Sequence, residues 1–382
     1  MAINIESKLP NTGTSIFSTM SALANKHKAI NLSQGFPDFP IDSKLKAFVM
    51  EALANNQVQY APMPGRLDLR QAISNKITKQ HGVSIDPVSE ITITAGATQA
   101  IYTVIATVVN EGDEVILFDP AYDCYDPAIR VHKGIPVPIN LVHPSYTIDW
   151  VQVRSKVNSN TRLIIVNNPH NPCGSVWVKS DLENLTSLLT DFPNLLVLSD
   201  EVYEHIQFTD QHQSVLKSEF IRKRSFVTYS FGKTLHATGW KLGYCIAPAN
   251  FTAEFRKLHQ YMVFCANNTI QYAVAKYLNL SDEWRNLKSL FQNKRDLFLN
   301  HLADSRFIAL PCNGTYFCVL DYSNISSKSD IEFAKELTIK YGVAVIPISP
   351  FYQDNTDNKT IRICFAKQDE TLINAAKLLC EI

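Results

Sequence analysis

Ser230-Phe231-Gly232-Lys233-Thr234-Leu235-His236-Ala237-Thr238-Gly239-Trp240-Lys241-Leu242-Gly243-Tyr244 follows the apolar run Phe226 to Tyr229 and sets one lysine among glycines and hydroxyls. A lysine held in a tight, partly dry pocket has its ammonium form disfavoured, and the freed amine can attack a carbonyl to form a Schiff base. Lys233 is therefore read as the chemical centre, with Lys241 as a second positive charge. Taken alone, the stretch favours two exposed surface lysines, as most lysines are. Gly232-Lys233-Thr234 imitates the end of a phosphate-binding P-loop, but that pattern needs a glycine where Val227 stands. What promotes Lys233 is the rest of the chain.

Outward from this stretch, short β-branched runs alternate with helical patterns. Strands are expected at 91–94, 115–118, 135–138, 163–166, 195–199, 226–229 and 242–246, and helices at 44–54, 67–80 and 100–109. That alternation is the grammar of an α/β protein, a large domain with a mostly parallel seven-stranded sheet covered by helices. Ligands bind at the carboxyl ends of such strands. Those ends carry Gly96-Ala97-Thr98, Asp119-Pro120, Asn168 to Asn171, Asp200 to Tyr203 and Ser230 to Lys233.

Past Pro248 the pattern changes to long helices, 251–265 and 270–302, the second broken near Leu280. The last third reads as a smaller α+β domain, with strands at 315–320, 343–346 and 360–365 and helices at 330–341 and 369–379. At the other end, residues 1–10 form a loose arm, and 15–26 a short helix with Ile16, Met20 and Leu23 on one face. The segment 31–40 is a rigid loop in which Gly35 lets backbone approach a ligand. The expected division is an N-terminal arm and segment docking on the small domain over 1–44, a large domain over 45–275, and a small domain over 276–382.

With 382 residues, burial of a sizeable core is assured. The 36 Lys+Arg balance the 36 Asp+Glu, so no net field attracts nucleic acid or an anionic membrane, and a small-molecule site is favoured. No apolar run approaches the roughly 18 residues of a membrane span. The N-terminus lacks a signal pattern, which predicts a cytoplasmic protein. Eight scattered cysteines without metal-binding spacing predict free thiols, no disulfides and no structural metal.

The strand ends suggest chemistry one by one. Gly96 to Gln99 opens a helix and offers backbone amides and a hydroxyl as a phosphate cradle, with Ser230 and Lys241 as partners; taken alone, an ordinary strand-to-helix turn is the favoured reading. Asp200 puts a carboxylate where a buried strand meets a pocket, and it needs a cationic partner such as a protonated ring nitrogen. The plainer role is a helix cap. Tyr203 can turn toward the same ring, and Asn171, in the turn Asn168-Pro169-His170-Asn171-Pro172-Cys173-Gly174, can donate to a ring oxygen. Tyr122 offers a flat stacking surface or core packing. Arg362 interrupts the apolar strand Thr360 to Phe365, and its guanidinium suits a substrate carboxylate if that face is buried.

Together these motifs resemble the class I/II aminotransferases of pyridoxal-phosphate fold type I, most closely the branch of kynurenine/glutamine and bacterial methionine aminotransferases. The resemblance covers nearly the whole chain. It rests on Gln34 to Pro40, Gly96 to Ala100, Asp119 to Tyr125, Asn168 to Gly174, Asp200 to Tyr203, Ser230 to Tyr244 and Thr360 to Lys367. It implies that pyridoxal 5'-phosphate is the cofactor, bound by the large domain. It casts Lys233 as the Schiff-base and proton-shuttling lysine, Asp200 as partner of the ring nitrogen, and Asn171 and Tyr203 as donors to the ring's phenolic oxygen. Ala97, Thr98, Ser230 and Lys241 match the phosphate site, and Tyr60 the tyrosine that reaches it across a homodimer interface. Tyr122 matches the stacking aromatic, and Arg362, with Gly35 and Asn171, the grip on the substrate carboxylate. Phe17, Phe36, Tyr122 and Phe351 would give the substrate an apolar, aromatic surround. Many relatives have arginine at Lys241, and phenylalanine or tryptophan at Tyr122, whose hydroxyl is left without a role. The implied reaction moves the amino group of methionine and other large apolar or aromatic L-amino acids to a 2-oxo acid by a ping-pong mechanism. The alternatives are a kynurenine/glutamine transaminase, a cysteine-conjugate β-lyase, and a non-catalytic effector-binding module on the same fold.

Overall fold

The computed structural model describes residues 5–209, 211–280, 284 and 286–382. An N-terminal helix α1 (Ile16–His27) and strand β1 (Ile30–Asn31) lead to α2 (Ser43–Ala54) and α3 (Leu67–His81). The alternating region follows as β2 (Ile91–Thr94), α4 (Ala97–Val108), β3 (Glu114–Asp119), α5 (Tyr125–Val131), β4 (Ile135–Asn140), α6 (Trp150–Lys156), β5 (Thr161–Asn167), α7 (Lys179–Asp191) and β6 (Leu196–Asp200). It continues through α8 (Glu219–Arg222), β7 (Ser225–Ser230), the single turn α9 (Phe231–Thr234) and β8 (Gly243–Ile246). Long helices α10 (Ala249–Met262), α11 (Asn268–Leu280) and α12 (Leu287–Leu302) come next. The chain closes with β9 (Ile308–Ala309), β10 (Phe317–Asp321), α13 (Asp330–Lys340), β11 (Val343–Ala344), β12 (Ile346–Pro347), β13 (Thr360–Cys364) and α14 (Asp369–Cys380).

The seven-stranded sheet has the order β2-β8-β7-β6-β5-β3-β4. Only β8 runs against its neighbours, pairing antiparallel with β2 and β7, while the other pairings are parallel. The seven strand positions expected from sequence are all occupied. Their side chains alternate between two covers, as the period of two requires. Val115, Leu117, Leu163, Ile165, Leu198 and Phe226 pack with Ile101, Val104 and Ile105 of α4. Ile116, Phe118, Ile164, Val166, Val197 and Val227 face the core shared with Ile73 and Ile77 of α3 and with Leu185 and Leu189 of α7. Covered on both faces, the strands read as continuous apolar runs.

A four-stranded antiparallel sheet, β12-β13-β10-β9, and a two-stranded parallel sheet, β1-β11, make the other layers. Their core joins Met20 and Leu32 to Phe298, Phe333, Ile361 and Leu372. Side-chain caps start several helices where the chain turns: Ser15 accepts from the Ser18 amide at α1, Asp42 from Lys44 at α2, and Ser329 exchanges bonds with Glu332 at α13.

Some boundaries differ from expectation for local reasons. α4 begins at Ala97 rather than Ala100, because Gly96 at φ 83 turns the chain directly into the helix. α10 ends at Met262 because Phe264 enters the left-handed region at φ 67. β10 starts at Phe317, since Thr315 has φ 61. The run 343–346 is two strands in different sheets, β11 with β1 and β12 with β13. β1 and β9, two residues each, are too short to show a period. Helix 270–302 is interrupted as expected, and within the break residues 281–283 and 285 lie outside the described residues, as do residues 1–4 of the arm.

β2 is an edge strand, and the turn before it covers that edge: the Ile93 amide donates to the Pro64 carbonyl at 3.0 Å. Gly65 makes this possible. Its φ is +95, and a Cβ there would lie 2.2 Å from Ile93 Cγ1. Gly65→Ala therefore combines backbone strain with overpacking and should lower stability by more than about 2 kcal/mol. Urea unfolding measures it, and an unchanged midpoint would show that the turn does not press on the sheet.

Candidate active site

The strand register decides which polar groups meet. Counting by twos from Leu198 reaches Asp200, from Ile165 reaches Asn167, and from Phe226 reaches Ser230, so all three fall on the α4 side of the sheet. There they border a cavity of about 240 Å³ together with Phe17, Gly35, Ala97, Thr98, Tyr122, Asn171, Tyr203, Lys233, Lys241 and Arg362. Every candidate residue for the cofactor and the substrate carboxylate but Tyr60 is in this wall, as is Phe17.

Lys233 sits in α9, the turn that β7 runs into. Its Nζ donates to the Tyr316 hydroxyl at 2.8 Å and approaches the Gly35 carbonyl at 3.4 Å. Burial pushes its pKa down to about 8, and the positive charges of Arg362 and Lys241 act in the same direction. About half of the amine is thus neutral, and available as a base or nucleophile, near pH 8.

Asp200 is buried, and burial pushes its carboxyl up to about 6, against the pull of a 2.7 Å hydrogen bond from the Tyr125 hydroxyl. A cation placed against it would restore its charge. The next residue, Glu201, points to the opposite face of the sheet. Burial raises its carboxyl, but His212 and neighbouring donors outweigh that and hold it below the ordinary value. It lies 2.9 Å from His212 Nε2 and accepts from the Tyr229 hydroxyl at 3.1 Å. Deeper on the same face, Lys76 of α3 pairs with Glu204 and donates to the Tyr244 hydroxyl at 2.9 Å.

At the opposite corner, α4 begins with no side-chain cap, so its first amides are unspent. A Cβ on Gly96 would lie 3.6 Å from Lys241 Nζ, which places that ammonium beside the helix start. Lys241 forms no ion pair among the described residues. Tyr122 is half-buried here, its phenol pushed up mainly by burial, with the nearby Thr98 side chain acting in the opposite direction.

Arg362 lies on β13, 1% exposed. Nη1 donates to Asn171 Oδ1 at 2.8 Å and Nη2 to the Ser33 carbonyl at 3.2 Å, while the buried Nε has no partner. The guanidinium lies 3.8 Å from the Phe317 ring centre and 5.1 Å from that of Phe17. Gly35 closes the same wall; a Cβ there would meet the Phe317 ring at 2.8 Å. Phe351 stands behind Phe17 at 5.6 Å between ring centres. Phe36, expected in the substrate's surround, is outside the cavity wall, with its ring by Lys367 Nζ at 4.8 Å.

A family model described as aminotransferase class I and II matches residues 27–379. The chain belongs to that family. It is 46% identical over 379 residues to a methionine aminotransferase of Escherichia coli strain K12, covering 99% of this chain and 98% of the relative. A kynurenine–oxoglutarate transaminase of Dictyostelium discoideum is 33% identical over 95% of this chain and 93% of its own length. A solved Escherichia coli structure whose reactivity identified a methionine aminotransferase function superposes with a TM-score of 0.98 at 46% identity, covering 100% of both chains. The N-succinyldiaminopimelate aminotransferase of Mycobacterium tuberculosis follows at 0.94 and 34%, covering 99% of this chain and 100% of that one.

Aminotransferases of this family act on amino acids and 2-oxo acids and use pyridoxal 5'-phosphate. The donor set fits that group. An uncapped helix start beside an unpaired ammonium suits a phosphate, and the buried Asp200, with its raised pKa, suits a ring cation. Among the described residues no helix is long and apolar enough to cross a membrane, and no cluster of side chains could hold a metal ion.

Tyr60 is the exception. It is 83% exposed and stacks edge-on against Phe264 at 5.3 Å, away from the cavity. Conversely, Tyr125, Tyr316 and Phe317 touch Asp200, Lys233 and Arg362 and were not singled out. Tyr125 closes the Asp119 to Tyr125 motif, so its position was visible although its partner was not. Tyr316 and Phe317 stand at the start of a strand, where aromatic residues read as core.

The lowered pKa predicts how Lys233 reacts. In cofactor-free protein, carbamylation of Lys233 by cyanate should rise with pH to half-maximum near 8, whereas ordinary lysines titrate near 10.5. Peptide mass spectrometry across a pH series reads both, and a Lys233 midpoint near 10.5 would contradict the dry environment.

Proposed function

We propose that this transaminase takes methionine and other large apolar or aromatic L-amino acids as amino donors and passes the amino group to a 2-oxo acid by a ping-pong mechanism. The observation that carries this reading is Arg362, a buried guanidinium with an open Nε and no ion pair among the described residues, set in aromatic walls beside Lys233. It is the one arginine among the described residues lining the cavity, so no second guanidinium is there to pair with an acidic side chain. The 46% identity to a methionine aminotransferase supports the same choice.

Pyridoxal phosphate, when bound, supplies an aldehyde and a ring that takes up negative charge from the substrate's α-carbon. The residues suited to hold it are Ala97, Thr98, Ser230 and Lys241 at the phosphate, and Asp200 at the ring nitrogen. Tyr122 suits the ring face, and the Asn171 amide and Tyr203 hydroxyl the phenolic oxygen. Arg362 grips the substrate carboxylate together with Asn171 and the backbone at Gly35, directing the α-hydrogen toward Lys233. Lys233 removes that proton as a neutral amine and returns it to the product side. Phe17, backed by Phe351, excludes water from the substrate's side chain.

This proposal keeps the division at 1–44, 45–275 and 276–382, supported by α1 and β1 sharing a core with α13 and α14. It also includes a cytoplasmic homodimer. Tyr60 and Tyr261, 83% and 87% exposed, lie near the exposed Phe264 and Met262, an apolar surface of the kind that interfaces cover. In a dimer Tyr60 would complete the partner's phosphate site.

Two experiments test this. In half-reactions the loaded enzyme is mixed with one amino acid at a time and followed by cofactor absorbance. Methionine and phenylalanine should react well, and Arg362→Met should raise KM for methionine by about a hundredfold or more. Faster reaction with aspartate would overturn the substrate reading; preferred turnover of kynurenine or glutamine would replace it with the kynurenine/glutamine alternative, and pyruvate release without an acceptor with the β-lyase. Separately, sedimentation should give a dimer, and Tyr60→Phe should weaken cofactor retention about tenfold without dissociating it. A fully active monomer would refute the shared site.

A further inference from the structure

Tyr316 is fully buried, and its ring is wedged among Tyr203 at 5.2 Å, Phe317 at 4.9 Å and Phe291 at 5.6 Å. Its hydroxyl lies 2.7 Å from the Gly35 carbonyl and 2.8 Å from Lys233 Nζ. A carbonyl only accepts, so the phenol's single proton is committed to Gly35, and oxygen lone pairs face the amine. A neutral amine has two N–H bonds and one lone pair. With Tyr316 and, at 3.4 Å, the Gly35 carbonyl as its two acceptors, the nitrogen lone pair is turned away from both and toward the cavity.

We propose that Tyr316 is a positioning residue for Lys233: its hydroxyl, locked by the Gly35 carbonyl, holds the free lysine amine so that the nitrogen lone pair faces the substrate. The inference rests on the transaminase mechanism above and deepens it. The acceptor on the Gly35 side is itself held in place. Lys367 donates to the Phe36 carbonyl at 2.8 Å and approaches that of Gln34 at 3.4 Å, and Arg362 donates to the Ser33 carbonyl at 3.2 Å. The cradle therefore exists only when the 33–36 loop is seated on β13 and the residues after it.

The groups facing Lys233 are Tyr203, Tyr316, Asp200, Cys364, Arg362 and Lys241. Among them Tyr316 is an uncharged acceptor in direct contact, and such an acceptor favours the ammonium form. Tyr316→Phe keeps the ring and removes that acceptor. The Lys233 carbamylation midpoint in cofactor-free Tyr316→Phe should fall by about one unit. In the loaded enzyme kcat for methionine should drop about tenfold while KM stays within about twofold, because carboxylate binding is untouched.

A purely structural tyrosine gives a different pattern. If Tyr316→Phe matches wild type in both midpoint and kcat, and only Tyr316→Leu is impaired, the ring matters and the hydroxyl does not, and the proposal is overturned. A wild-type measurement stands beside the variants. With carbon-labelled tyrosine, the Tyr316 resonance, assigned by its loss in Tyr316→Phe, should move with the same midpoint as Lys233 carbamylation. A resonance indifferent to that midpoint also overturns the proposal. A wild-type enzyme that transaminates nothing, yet shows the coupled midpoint and its shift in the variant, refutes the functional reading and leaves the positioning role standing.

Discussion

A guanidinium buried among aromatic rings is costly unless its hydrogens are spent, and Arg362 spends them on separate parts of the chain. It reaches Asn171 after β5 of the large sheet and the Ser33 carbonyl from the N-terminal segment, while Phe317 of β10 lies against its face. One cation on β13 thus ties the seven-stranded sheet, the four-stranded sheet and the N-terminal loop to a common point. Its Nε is left over, and in the function proposed above a substrate carboxylate would supply the missing negative charge. The contact that joins these layers keeps one donor in reserve, so the proposed carboxylate grip and the assembly of the site draw on the same residue.

The sheet separates two electrostatic environments by the alternation of its side chains. Asp200 faces the cavity, where burial raises its pKa and leaves it in need of a cation. Glu201, one residue on, faces the opposite side and is held ionised with His212 and Tyr229. The Lys76–Glu204 pair lies with it. Neutralised there, the back of the sheet carries α3, and the cavity side keeps its unsatisfied groups for ligands. Lys233 belongs to that second set: burial and the charges of Arg362 and Lys241 disfavour its ammonium form, which suits the base role proposed for it.

Much of this was readable along the chain. Strands covered on both faces must be continuous apolar runs, so the seven strands and the polar residues at their ends stood out, and with them Lys233, Asp200, Asn171 and Arg362 as candidates. Where local conformation overrode pattern, the reading slipped. Gly96 starts α4 three residues early, Thr315 delays β10, and the 343–346 run changes sheets midway. Phe36 matched its motif yet stands outside the cavity, because its ring lies against Lys367.

The order of residue types along the chain dictated the class of fold and the family, and marked the central lysine as a candidate, because period, strand-end composition and motif spacing are properties of neighbours in sequence. Tertiary structure alone decided the partners. Tyr125 meets Asp200 across 75 positions, Tyr316 meets Lys233 across 83, and Arg362 meets Asn171 across 191. No local pattern encodes such contacts, since each is the meeting of strand ends and loops whose register is set by the packing of entire layers. Hydrogen-bond direction, lone-pair orientation and the drying of an amine follow only once those layers are in place.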